Sequence, residues 1–85
     1  MSYTIIYPES YNDRAQKFLQ KYSALSKTYE KILRLLEENP FHPSLRLHSL
    51  EDRLRELSSI SINLKYRITL QFFIQDKMIV LVDVG

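Results

Sequence analysis

Two side chains in this 85-residue sequence have types and settings suited to work on a phosphate, His48 and Arg67. A histidine titrates near neutrality, so His48 is a candidate general acid or base. Its alternative is a surface or turn histidine with no task. Arg67 sits in the middle of an alternating apolar and polar run, on the polar parity. A guanidinium fixed there can grip a phosphate through two parallel hydrogen bonds. Its alternative is a solvated strand arginine whose stem covers apolar surface. Ser59 and Ser61 share the polar parity with Arg67. Arg46, Arg53, Arg55 and Lys65 are candidates for a patch that tracks a phosphate backbone. Glu51, Asp52, Glu56 and Asp76 stand among or near them. A mixed solvated surface is therefore the competing reading of the same charges. Tyr66 falls on the apolar parity and reads as core rather than as a base-stacking platform. His42, between Phe41 and Pro43, reads as loop packing.

Other chemistry is poorly supplied. With no Cys there is no disulfide, thiol nucleophile or Cys-ligated zinc, and a reducing cytoplasm suits the chain. Two His without a clustered spacing make no metal centre, so neither metal nor cofactor is expected. The sole Gly is Gly85, which excludes a Gly-rich phosphate loop. The carboxylate pairs Glu37-Glu38 and Glu51-Asp52 are sequence neighbours, and adjacent helical residues do not face each other. No Ser has a His and an acid at a recognisable spacing. The longest apolar run, Met78 to Val82, is far short of the roughly 20 residues that span a bilayer. The N-terminus lacks the basic and apolar regions of a signal peptide.

Length allows one domain, residues 1–85. Twelve basic and ten acidic residues leave a formal charge of +2. Each half of the chain, divided after Asn39, holds six basic and five acidic residues, so neither is a charged tail. A charge of +2 attracts nucleic acid only weakly.

The elements that must position these residues follow from periodicity. Tyr3 to Tyr7 is a short β-type run stopped by Pro8. Tyr11, Ala15, Phe18, Tyr22, Leu25, Tyr29, Ile32 and Leu36 then repeat at helical spacing. One helix of that extent would run about 45 Å, too long for this mass. Two helices with a break near Tyr22 to Ser26 are expected, with Ser26 capping the second and Asn39-Pro40 ending it. Phe41 to Glu56 is a less regular link, in which a short strand or a helical turn would each fit. From Leu57 onward Ile60, Ile62, Leu64, Tyr66, Ile68, Leu70, Phe72 and Ile74 hold the apolar parity. Ser59, Ser61, Lys65, Arg67, Thr69 and Gln71 hold the polar one. Turns at Asn63 to Lys65 and Gln75 to Lys77 make three strands, the last apolar enough to lie inside the sheet. The predicted fold is α+β, in the order β-α-α-β-β-β. Two helices cover one face of a small antiparallel-rich sheet, leaving a polar, mildly basic face opposite.

Asn39-Pro40, Leu47-His48-Ser49-Leu50, the run Ser59 to Ile68 with its Tyr66-Arg67-Ile68, and the closing Ile79 to Gly85 together resemble the RelE/ParE toxin superfamily. The RelE/YafQ-like branch is the nearest in motif. The resemblance covers essentially the whole chain, in the element order read from periodicity. It implies the toxin half of a bacterial type II toxin–antitoxin module, cytoplasmic, with a cognate antitoxin as partner. It further implies an mRNA interferase that enters the ribosomal A site and cleaves mRNA without a metal or cofactor. In such chemistry a 2′-hydroxyl attacks the adjacent phosphate. Arg67 matches the arginine that holds the scissile phosphate, and His48 matches an acid/base candidate. Ser59 and Ser61, expected as RNA contacts on the polar face, stand where relatives often place basic or proton-transferring side chains, a role serine cannot take at neutral pH. Asp52 and Glu56 replace frequent glycines and would repel phosphate. Relatives usually run several residues past Gly85 with a further catalytic residue, so a chain weakened by truncation is an expectation. A ParE-like DNA gyrase inhibitor, or an inactive homologue that only binds its antitoxin, are the competing functions.

Overall fold

The structure, a computed structural model, describes residues 2–50 and 57–85. Strand β1 (Thr4–Ile6) leads through Pro8 into helix α1 (Glu9–Lys21). A 3₁₀ turn (Ser23–Leu25) separates α1 from helix α2 (Ser26–Glu38). The break thus lies where the helical stripe had to fold back on itself. Ser26 does not cap α2, however. Leu25 holds that position without a side-chain bond, and the Ser26 N–H already donates to the Ser23 carbonyl. The 3₁₀ turn runs straight into α2, so the start of the helix is already partly satisfied and needs no side-chain oxygen. At the other end Asn39 is extended, as a residue before proline must be, and Pro40 is fully buried.

The link contains both structures that its sequence allowed. A 3₁₀ turn (Pro43–Leu45) opens it, its first free N–H, that of Ser44, bonded to His42 Nδ1 at 3.1 Å. A two-residue strand β2 (His48–Ser49) follows. Then come β3 (Leu57–Ser61), β4 (Arg67–Phe73) and β5 (Met78–Val84). The sheet therefore has five strands, in the order β1-β5-β4-β3-β2. β1 runs parallel to β5 and the other pairs are antiparallel. β5 lies inside the sheet, with Ile79 and Leu81 buried. Between Thr69 and Leu70 the β4–β5 register slips, so Thr69 faces Asp83 and Leu70 faces Leu81. Val82 is the extra residue of this bulge.

The helices and the inner face of the sheet enclose one core, from Tyr11, Phe18, Tyr29, Ile32 and Leu36 to Ile60, Ile62, Ile68, Leu70, Ile79 and Leu81. Two residues on the apolar parity escape it. Leu64 is 91% exposed and Ile74 63%. Both fall where the chain turns, and a turn ends the alternation that would carry them inward. Asn63 makes the first turn itself. Its Oδ1 accepts from the N–H groups of Lys65 and Tyr66 at 2.9 and 2.8 Å.

One buried bond ties the helices together. The hydroxyls of Tyr11 and Tyr29 lie 2.6 Å apart in the core. Burial pushes both phenols above their ordinary value, and for Tyr11 the bond to Tyr29 adds to the effect. Tyr29→Phe should cost about 1–3 kcal/mol, because the Tyr11 hydroxyl then stays buried without a partner. The double Phe variant should cost less than the sum of the singles, as a urea double-mutant cycle will show. The raised values also set a pH limit. The folded state keeps both protons while the unfolded state loses them, so stability holds below about pH 10 and falls as pH rises further. The double Phe variant should lack that part of the alkaline loss.

Candidate functional site

Arg67 opens β4, opposite Ser61 on β3, and Ser59 lies two residues along the same strand face. The guanidinium lies down on both. Nε donates to Ser59 Oγ and Nη1 to Ser61 Oγ, each at 2.9 Å. Nη2 donates to the Arg46 carbonyl at 3.1 Å and, more weakly, to the Ser59 carbonyl at 3.5 Å. Four contacts therefore hold one planar group in one orientation. Every acceptor is uncharged, and the sole ion pair among the described residues is Arg14 with Asp83, 3.4 Å apart. Among the described residues no carboxylate bonds the Arg67 guanidinium, which is oriented by neutral acceptors alone. Arginine has five N–H donors, and the second Nη1 proton has no partner among the described residues.

This arrangement corrects the expectation for Ser59 and Ser61. They were placed on a solvated face as contacts for RNA. Instead they are 3% and 8% exposed, covered by the side chain they hold. Arg46 contributes in a way its charge did not suggest. It adopts the left-handed conformation (φ 50°, ψ 50°) at the end of the Pro43–Leu45 turn. A non-glycine residue rarely stays there unless its surroundings enforce it. Here the backbone carbonyl reaches Arg67, while the Arg46 side chain stays exposed.

His48 pairs with Ser59, and Ser59 pairs with Thr69, so the three form one row across β2, β3 and β4. Cross-strand partners share a face and have Cβ atoms about 5 Å apart. His48 therefore stands beside the serine that receives Arg67 Nε. It is exposed, and its side chain makes no hydrogen bond to a described residue. Arg46, His48, Leu50, Ser59, Arg67, Thr69 and Gly85 line an open cleft of about 620 Å³. Gly85 forms its end by exchanging backbone hydrogen bonds with Arg67. Thr69 and Leu50 were not singled out beforehand. Thr69 was readable from its polar parity next to Arg67, whereas Leu50 reaches the cleft through the path of the link.

Lys65 is elsewhere. It belongs to the Asn63 turn rather than to a strand, and its Nζ lies 5.5 Å from the Tyr66 ring centre. It is not among the residues that line the cleft. The turn breaks the parity that placed it beside Arg67. Arg53 and Arg55 fall outside the described residues. Among the described residues no three His, Asp or Glu side chains gather in a way that would hold a metal ion. No helix there is long and apolar enough to cross a membrane.

No family model and no curated protein sequence matches this chain. Solved structures do match it. YafQ from E. coli strain BL21(DE3) superimposes with a TM-score of 0.77 at 16% identity, over 98% of this chain and 91% of YafQ. YafQ in the E. coli DinJ–YafQ toxin–antitoxin complex gives 0.78 at 16% identity, over 100% and 92%. The fold is that of the RelE/ParE toxins. The archaeal RelE–RelB complex from Pyrococcus horikoshii OT3 extends the likeness, with 0.74 at 19% identity over 100% and 94%. The likeness runs over nearly the whole of each chain at no more than 19% identity. The neighbours include toxins solved together with their antitoxins.

Proposed function

We propose that this chain is the toxin of a type II toxin–antitoxin pair and that its cleft cleaves mRNA on the ribosome. The observation that carries this is Arg67. Its guanidinium is fixed by four contacts to neutral acceptors and opens onto a cleft with His48 on its rim. Such a group can hold a phosphate and meet the extra negative charge that develops as a 2′-hydroxyl attacks it. Because the group is already oriented, little reorganisation is needed at that moment. His48 would take the hydroxyl proton or supply one to the leaving 5′-oxygen. Arg46 and Thr69 would contact neighbouring parts of the RNA chain, with Arg53 and Arg55 as further candidates for the same strand. Residues 1–85 would work as a single domain, with an antitoxin covering it until release.

Inducing the chain in bacteria and mapping mRNA 5′ ends tests the reading. Growth arrest with new ends inside translated codons is expected. His48→Gln should lower cleavage by about 10²–10⁴-fold, the usual contribution of one general acid or base. Normal growth with soluble, folded protein would refute the nuclease reading.

The second reading is an inactive toxin homologue that only binds its antitoxin. One observation favours it: Ser59 and Ser61 are engaged in holding Arg67. Among the described cleft residues this leaves His48 as the one side chain suited to move protons at neutral pH. Complex formation without growth arrest would select that reading.

A further inference from the structure

Beside the cleft, on the same face of the sheet, runs an apolar row. Strand register defines it. Ile6 pairs with Val80, Val80 with Gln71, and Gln71 with Leu57. The Leu50 N–H donates to the Leu57 carbonyl. Leu50, Leu57, Gln71, Val80 and Ile6 thus cross all five strands side by side. Paired residues share a face, and Leu70, which alternates with Gln71, is buried in the core below the helices. The row therefore lies on the side away from the helices, the side of Ser59 and Arg67. Leu50 and Ile6 are exposed, and the three residues between them are half-buried. Gln71 is the one polar side chain of the row, and it makes no hydrogen bond to a described residue. Two contacts make the row continuous with the cleft. Leu50 lines the cleft, and so does Thr69, two residues before Gln71 on the same strand face. Two residues along a strand span about 7 Å. The row is thus one step beyond Ser59, on which the Arg67 guanidinium rests.

We propose that this row is a base subsite. The base next to a phosphate held at Arg67 lies flat on Leu50 and Leu57, and Gln71 reads its edge and selects adenine. The choice of RNA as ligand rests on the cleft reading above. A base has two apolar flat faces, and taking one of them out of water onto aliphatic side chains is favourable. A purine covers more of the row than a pyrimidine does. The Gln71 amide sets an acceptor and a donor side by side. Adenine offers the matching donor and acceptor on two edges, N6 with N7 and N6 with N1, so it satisfies the amide whichever edge it turns. The N7 and O6 edge of guanine carries two acceptors, and a pyrimidine has a single matching edge. A base that leaves the amide unbonded on an apolar floor is penalised, which makes the choice selective.

The test is anisotropy of short fluorescein-labelled 2′-O-methyl oligoribonucleotides, which the proposed chemistry cannot cleave. One carries adenine throughout, one uracil, one cytosine, and one purine without the 6-amino group. Wild type should bind the adenine oligomer tighter than each of the others by about 5-fold or more, the discrimination of one well-made bidentate contact. In Gln71→Leu the four should bind alike. Gln71→Glu, a change of the same shape, accepts from N6 but has no proton for N7 or N1, so it should lose the preference too. A melting curve for each variant accompanies the titrations. The inference is overturned if wild type binds no oligomer. It is equally overturned if Gln71→Leu, still melting like wild type, keeps the adenine preference. Equal binding of all four by wild type overturns it as well and leaves the apolar row to a protein partner. Arg67→Ala separates this subsite from the cleft reading. It should weaken all four oligomers while keeping their order. If it leaves binding unchanged while Gln71→Leu removes the preference, the cleft reading fails and the base contact stands. If it weakens binding while Gln71→Leu changes nothing, the cleft stands and this subsite is removed.

Discussion

Arg67→Ala is expected to lower ribosome-dependent mRNA cleavage by about 10²–10³-fold, the loss usual when one oriented donor to a developing negative charge is removed. The fold should survive. Arg67 is half-buried at the start of β4, and its backbone bonds to Gly85 do not depend on the side chain. Ser59 and Ser61 lose a partner, but Ser59 lines the open cleft and Ser61 a neighbouring open pocket, so water can replace the guanidinium. Arg67→Lys should recover little. An ammonium cannot reach Ser59 Oγ, Ser61 Oγ and the Arg46 carbonyl at once, so the charge would remain while its orientation is lost. Single-turnover cleavage of a ribosome-bound message, beside a melting curve for each variant, checks both statements. A cleavage rate unchanged by Arg67→Ala would remove Arg67 from the chemistry.

Leu45→Ala should be the most costly change for stability among those that bear on the cleft. Leu45 is fully buried, and its 3₁₀ turn touches both α2 and β3. Truncating a buried leucine costs about 2–5 kcal/mol, the lost transfer energy plus the cavity. Total stability of a small domain is only about 5–15 kcal/mol. The melting temperature should therefore drop by at least about 8 °C, at roughly 4 °C or more per kcal/mol for a chain of this size. The next residue is Arg46, whose carbonyl receives Arg67 Nη2. Loosening the turn should thus also reduce cleavage at temperatures where the protein is still folded. Thermal melting together with cleavage assays well below the midpoint would separate the two effects. Activity that simply tracks the folded fraction would show that the turn does not position Arg67.

The two helices, their break and the three C-terminal strands were legible from residue type and spacing. The helical stripe from Tyr11 to Leu36 and the alternation from Ile60 to Phe72 each bury one face, and burial of apolar surface is what selects such patterns. Asn39-Pro40 and Asn63 marked their turns through local chemistry, restricted backbone in one case and a side-chain acceptor in the other. For the same reason Arg67 was visible as a fixed cation on a polar strand face. What local rules cannot contain is pairing between distant segments. The two-residue strand His48–Ser49 has no periodicity of its own and exists because β3 offers it an edge. That pairing sets His48 beside Ser59. The Arg46 carbonyl comes under Arg67 through a left-handed residue 21 positions earlier in the chain. Ser59 and Ser61 read as solvated because alternation tells only which face a side chain takes. Whether that face is wet depends on what lies across it, and here a single arginine covers them both. The sequence by itself determined the layers and the charge on the outer face. The tertiary structure alone decided that this charge is held still, since acceptors from two distant segments, β3 and Arg46, converge on it only after the chain has folded.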